Sequence, residues 1–341
     1  MYQPNTVDLT VNGSRQAALF ERAAAETRKR FGRKVFVRGV VEVSNHCREN
    51  CHYCGMRRDN GGLDRYRARL DTLVDLLLHH RPASVTDLNI QAGEDPVAVR
   101  EVVLPLIRTL RRESSLGVSV CLGTLPHPLY QELQSAGASI YILKFETADP
   151  ARYARLQAPG SLDERLAHVR WLVEHGWKVS SGFIAGLPGQ GAAELAANLE
   201  LARGLPIHGC SVSPFVAGDG TPLQGAPAPD GLWAIHCMAT LRLLRPDWII
   251  PAVSALNLAA EDGYRRGLRA GANLVTINLT PPRLREDYVI YKRDRFIMSE
   301  DRVLSALEAE GLTPSTRGLV AHYEAGDHAH AGRPLVSAVG G

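Results

Sequence analysis

Three of the chain's six cysteines fall within eight residues, as Cys47, Cys51 and Cys54 in EVSNHCRENCHYCGMRRDN. Thiolates clustered in this way serve as ligands for soft metals or as partners in redox chemistry. The C-x3-C-x2-C spacing suits a loop wrapped around one corner of an iron–sulfur cubane, with three thiolates on three irons. The fourth iron then has no protein ligand and can bind a small chelating molecule, as the open position of a catalytic zinc does. A zinc knot is the competing reading, because His46 and His52 offer further ligands. Cys121, Cys210 and Cys237 are scattered along the chain and read as small core residues without a ligand role.

Elements that must position the triad alternate along the chain. Residues 14–31 read as an opening helix. Strand-like runs follow at 35–43, 85–91, 117–122, 140–145, 178–184, 210–215, 248–253 and 273–278. Helical patterns lie between them at 70–80, 97–113, 127–136, 161–175, 191–203 and 230–244, and another follows at 299–311. Eight strands in alternation with helices predict an α/β fold, a (β/α)8 TIM-type barrel of parallel strands, with an open doubly wound sheet as the competitor. The predicted divisions are a helical extension over 1–34, the barrel over 35–298, and a C-terminal helix and tail over 299–341. The tail from 326 onward is small and polar enough to be loosely ordered. The cysteine loop follows the first strand directly, at the barrel end where such folds build active sites.

Composition excludes several classes. Hydrophobic residues make up 45% of 341, enough for a sizeable core. A net charge of +3 gives no electrostatic reason to expect nucleic acid or an anionic membrane as partner. No run approaches the length of a spanning helix, the N-terminus lacks a signal-peptide pattern, and the cysteines are too few for a disulfide scaffold. A cytoplasmic protein is expected.

The triad, with Tyr53 before its last cysteine, resembles the signature of the radical S-adenosylmethionine (SAM) superfamily. CGMRRDN, DRYR (Asp64–Arg67), QAGEDP (Gln91–Pro96), FETADP (Phe145–Pro150), SLDERL (Ser161–Leu166), GLPGQ (Gly186–Gln190) and GANLVTINLTPP (Gly271–Pro282) resemble its biotin-synthase-like branch. The nearest patterns are those of the FeFe-hydrogenase maturase HydE and of methylornithine synthase. The resemblance implies a 4Fe–4S cluster on Cys47, Cys51 and Cys54, with SAM chelating the open iron. It also implies reductive cleavage of SAM and a 5′-deoxyadenosyl radical that starts reaction on the substrate. A reductant such as flavodoxin or ferredoxin is implied as partner.

By the same resemblance, Gly93 and Glu94 would meet the SAM ammonium, Glu146 would lie near its ribose and amino end, and Arg165 would pair with its carboxylate. Tyr53, Ile184 and Phe215 would complete the cofactor contacts. Residues at or near strand ends point to the substrate half. Thr124, Lys144 and Thr276 are expected to face the barrel mouth, and an ammonium at Lys144 would favour a carboxylate-bearing substrate. The alternative for Lys144 is a strand-end lysine paired with Glu146 or reaching to solvent.

The maturase pattern carries Arg-His where this chain has Lys144-Phe145, and SLGE where it has CLGT (Cys121–Thr124). The expected function is a radical SAM enzyme acting on a small polar substrate, amino-acid-like or thiol-derived, as a HydE-like maturase or close paralogue. The rivals are a carbon-skeleton mutase of the methylornithine-synthase kind and an iron–sulfur scaffold or electron carrier without catalysis.

Overall fold

A computed structural model describes residues 12–330, apart from 228, 230, 294 and 295, with 326–330 described by their backbone only. Runs of β-branched and aliphatic residues form seven strands of one parallel sheet. They are β1 (Lys34–Ser44), β2 (Asp87–Ala92), β3 (Gly117–Cys121), β4 (Ile140–Ile142), β5 (Lys178–Ala185), β6 (Gly209–Pro214) and β7 (Leu274–Asn278). Their order is β6-β5-β4-β3-β2-β1-β7.

The predicted strand at 248–253 is reduced to two parallel bridges, Gly209↔Ile249 and Pro251↔Leu274. Pro251 has no N–H for the ladder, which limits regular pairing there. Four backbone hydrogen bonds still close the ring. Ile249 N donates to His208 O, Cys210 N to Ile249 O, Asn273 N to Ile250 O, and Ala252 N to Leu274 O. The segment 249–251 thus occupies the position between β6 and β7, and the barrel is complete.

The period-two pleat sorts side chains between interior and exterior. Val37, Val41, Leu88 and Ile90 face outward into the main core, with helices such as Leu70–His79 and Leu104–Glu113 packed over them. Arg38, Val40, Glu42, Asn89 and Gln91 face inward and line a cavity of about 370 Å3. Polar side chains of β1 and β2 thus face the barrel interior, where they suit a bound polar molecule better than close packing.

At the opposite end the barrel is stoppered. A short strand, β8 (Thr313–Pro314), pairs with the start of β1, and the helix Leu319–His330 follows. Leu319 joins Phe36, Ile140, Ile249 and Leu274 in an apolar cluster. Asp87 accepts from Leu319 N at 2.6 Å and from Val320 N at 3.1 Å, which satisfies donors at the helix start. Residues 326–330, expected to be loose, continue this anchored helix, and 331–341 lie outside the described residues.

Candidate active site

The cysteine loop is shaped by arginines before any ligand is considered. Arg65 gathers five backbone carbonyls of this loop, those of Asn45, Met56, Arg57, Arg58 and Asn60, at 2.6–3.4 Å. Arg67 forms a two-pronged ion pair with buried Asp95 at 2.7 and 3.0 Å, and Ser44 donates to the same carboxylate at 2.7 Å. Arg65 and Arg67 are thus spent on framing the loop. Cys47, Cys51 and Cys54 are free thiols on its inner side, lining the cavity at the carboxyl ends of the strands. Burial pushes all three thiols up, Cys54 to about 12.

Behind the loop, β2 ends at Gly93 and Glu94. A side chain at Gly93 would run into the His46 carbonyl and come within 2.9 Å of the Cys47 Cβ, so only glycine admits this close approach. The Glu94 N–H points at Cys47 Sγ, 3.4 Å away. The buried Glu94 carboxylate accepts from Thr124 N at 2.8 Å, Arg165 Nη1 at 3.4 Å and Arg48 at 3.3–3.4 Å. Burial raises its pKa against the opposing pull of Arg165.

Arg165 owes its place to a capping box. The Ser161 hydroxyl accepts from Glu164 N at 3.2 Å, and the Glu164 carboxylate accepts from Ser161 N at 2.8 Å. This starts the helix Leu162–Glu174 so that Arg165, on its first turn, points inward. Its Nε donates to Lys144 O at 3.0 Å, and Nη1 donates to Glu94 and to the Thr124 hydroxyl. Nη2 makes no hydrogen bond among the described residues. Burial opposes the charge, but Tyr153, Glu94, Tyr53 and Glu146 outweigh it and the pKa is raised.

Past β4 the chain distorts. Phe145 N and Glu146 N both donate to Gly182 O, at 2.9 and 3.1 Å, and Glu146 adopts φ +63°. A left-handed conformation at a buried non-glycine residue costs of order 1 kcal/mol and marks strain kept for a purpose. The buried Glu146 Oε2 pairs with the Lys144 ammonium at 2.9 Å. Burial works against the Lys144 charge, yet Glu146 and the nearby anionic groups leave its pKa raised.

On the far side, Ile184 and Phe215 pack with Leu156 and Leu187 in an apolar cluster, and with Tyr53 they line the cavity. Gln190 accepts from Gly186 N at 2.7 Å and donates to Ile184 O at 3.3 Å.

Residues 41–202 match the Radical SAM superfamily. The FeFe-hydrogenase maturase subunit HydE of Thermotoga maritima is 32% identical over 302 residues, 87% of this chain and 86% of that one. The chain belongs to the radical SAM superfamily. The 3-methylornithine synthase of Methanosarcina barkeri is 27% identical over 84% of this chain and 81% of its own length. The crystal structure of a methylornithine synthase shares the fold, with a TM-score of 0.83 at 24% identity over 95% of this chain and 96% of that one.

Radical SAM membership makes this chain an enzyme and implies a 4Fe–4S cluster and SAM. The donor set fits both groups. Among the described residues no three His, Cys, Asp or Glu side chains converge on a point suited to one metal ion. A cubane is wider and asks for thiols set apart around a corner. For SAM, the cavity offers the open Nη2 edge of Arg165, the Glu146 carboxylate beside Lys144, and an apolar wall of Tyr53, Ile184 and Phe215.

The remaining sequence candidates divide between two places. Lys144 and Thr276 line the barrel interior, where the Thr276 hydroxyl accepts from Arg38 Nε at 3.0 Å. Thr124 is engaged behind them, its hydroxyl on Arg165 and its carbonyl on Arg48 Nη2 at 2.9 Å. Arg38 and Arg48 were not singled out from sequence. Arg48 lies between Cys47 and Cys51, and inward parity on β1 marks Arg38 once the barrel is assumed.

Proposed function

We propose that Cys47, Cys51 and Cys54 hold a 4Fe–4S cluster, and that SAM lies between this loop, Arg165, Glu146 and the apolar wall of Tyr53, Ile184 and Phe215. When bound, these groups supply reductive SAM cleavage and the 5′-deoxyadenosyl radical. The chain's own residues bind, orient and exclude water. Arg165 presents an N–H edge to the SAM carboxylate. Glu94 fixes Arg165 through its carboxylate, which two arginines and the Thr124 N–H already occupy. The SAM ammonium is therefore assigned to backbone near Gly93 and not to that carboxylate. Glu146 offers its carboxylate, already paired with Lys144, to the ribose hydroxyls. The carrying observation is that cysteine loop, Arg165 and Glu146 all open on one cavity.

The substrate is assigned to the barrel interior below. Lys144, Arg38, Thr276 and the serine hydroxyls of β6 favour a small molecule bearing carboxylate, amino-acid-like or thiol-derived. This suits a HydE-like maturase or close paralogue. The similarity to 3-methylornithine synthase favours an amino-acid carbon-skeleton mutase as the second reading. A reductant such as flavodoxin or ferredoxin supplies the electron. Six unpaired thiols suit a reducing compartment, and we assign the enzyme to the cytoplasm. No described helix is long and apolar enough to cross a membrane.

Anaerobic reconstitution with iron and sulfide tests the reading. About four irons per chain, and 5′-deoxyadenosine release from SAM on reduction, are expected. A protein that binds the cluster but neither binds nor cleaves SAM would overturn it.

A further inference from the structure

The turn that joins β3 to the helix His127–Ala136 carries Thr124, and two buried tyrosines grip it from either side. The Tyr141 hydroxyl, from β4, donates to Gly123 O at 2.8 Å. The Tyr130 hydroxyl, from the helix, accepts from Leu125 N at 3.0 Å and lies 3.3 Å from His168 Nδ1. The two rings meet edge to face, 4.9 Å apart at 84°, so each fixes the other. Both are 0% exposed.

Between the two gripped groups stands Thr124. Its N–H meets Glu94 Oε1 at 2.8 Å and its hydroxyl meets Arg165 Nη1. Gly123 itself adopts φ +72°, and a side chain there would overlap the Glu94 carboxyl group. The turn is thus pressed against Glu94, and Gly123 can bring no side chain to hold it. Loss of a tyrosine hydroxyl would leave a buried carbonyl or N–H without its partner and free the turn to shift. Arg165 would lose a fixed acceptor in the same motion.

We infer that Tyr130 and Tyr141 are positioning residues for SAM, acting through the Gly123–Leu125 turn on Thr124 and from there on the Arg165 guanidinium. This rests on the assignment of the SAM carboxylate to Arg165. Neither tyrosine touches the cavity, so each acts only through the turn.

The test is SAM affinity of the reconstituted enzyme, read from the change SAM produces in the reduced-cluster electron paramagnetic resonance signal. Tyr141→Phe and Tyr130→Phe should each weaken SAM about tenfold, the scale of one lost buried hydrogen bond. Iron content should stay near wild type and the chain should remain folded, with the unfolding midpoint lowered only modestly by the unpaired carbonyl or N–H. In a Thr124→Ala background, Tyr141→Phe should add less than about twofold, because the shared route is already cut.

Arg165→Lys separates the two readings. Weakened SAM binding in Arg165→Lys, with wild-type affinity in both tyrosine variants, overturns the positioning role and leaves the SAM site standing. Unchanged affinity in Arg165→Lys overturns the carboxylate assignment itself. Loss of iron or of fold in both phenylalanine variants would make the tyrosines structural and also overturn the inference.

Discussion

The ammonium of Lys144 lies 2.9 Å from Glu146 Oε2, two residues along the same strand end, although side chains at that spacing share one face without touching in a regular strand. The left-handed turn at Glu146 brings the carboxylate back over Lys144. The cation proposed for the substrate and the carboxylate proposed for the ribose are thereby held next to each other in the cavity lining.

Lys144→Met should abolish turnover of the true substrate while sparing the cluster, SAM binding and the slow SAM cleavage that occurs without substrate. Removing the ammonium takes away the attraction for a carboxylate but leaves Arg165 and the cysteine loop in place. Wild-type turnover would take Lys144 out of the substrate site. Loss of SAM binding would show that the Glu146 pair matters first to the cofactor.

Alanine at Cys47, Cys51 or Cys54 should remove most bound iron, measured by iron analysis and by the visible absorption of the cluster. Cys121, Cys210 and Cys237 replaced together by Ser or Ala should leave iron near about four per chain. Cys210 and Cys237 are fully buried, with thiols that burial pushes up to about 12 and higher, as expected of small core residues. Full iron in a triple alanine variant of the loop would sink the cluster assignment.

Arg165→Lys should weaken SAM binding by about ten- to a hundredfold, the scale of one charge-assisted hydrogen bond. A point charge cannot hold Lys144 O, Glu94 and Thr124 while also presenting an edge to a carboxylate. Iron content should not change. Equilibrium titration with SAM decides the matter.

Arg65→Lys should lower iron retention without unfolding the barrel. Three lysine donors on one nitrogen cannot span the five carbonyls that the guanidinium fork collects. The loop would then present its thiols in more than one arrangement. Iron retained after gel filtration, compared with an unchanged unfolding midpoint, is the readout. Equal retention would show that the loop is held by other contacts.

Asp87→Ala should destabilise the chain by about 1–2 kcal/mol, the range for losing a carboxylate at a helix start. It should leave SAM affinity unchanged, because Asp87 serves the stopper end of the barrel. Denaturant unfolding measures the first effect and SAM titration the second.

The sequence by itself determined the chemistry of the loop and the class of fold. Cysteine spacing is a local property, and a ligand loop directly after the first strand survives whatever the distant chain does. The helix after Ser161 was legible as a pattern over 161–175, and the Ser161–Glu164 capping box that starts it is a local feature as well. The alternation of strands and helices was legible because the pleat and the helix repeat leave periodic traces.

Tertiary structure alone decided how the charges were shared. Burial and partners depend on neighbours far along the chain, and no local pattern reports them. Glu94 and Thr124, read from sequence as separate contacts to cofactor and substrate, are joined through Arg165, 71 residues beyond Glu94. The Glu146 turn, the closure of the ring at 249–251 and the helix that Asp87 caps are likewise long-range outcomes. Each is set by which backbone groups the assembled barrel leaves to be satisfied, and that accounting exists only once the strands have met.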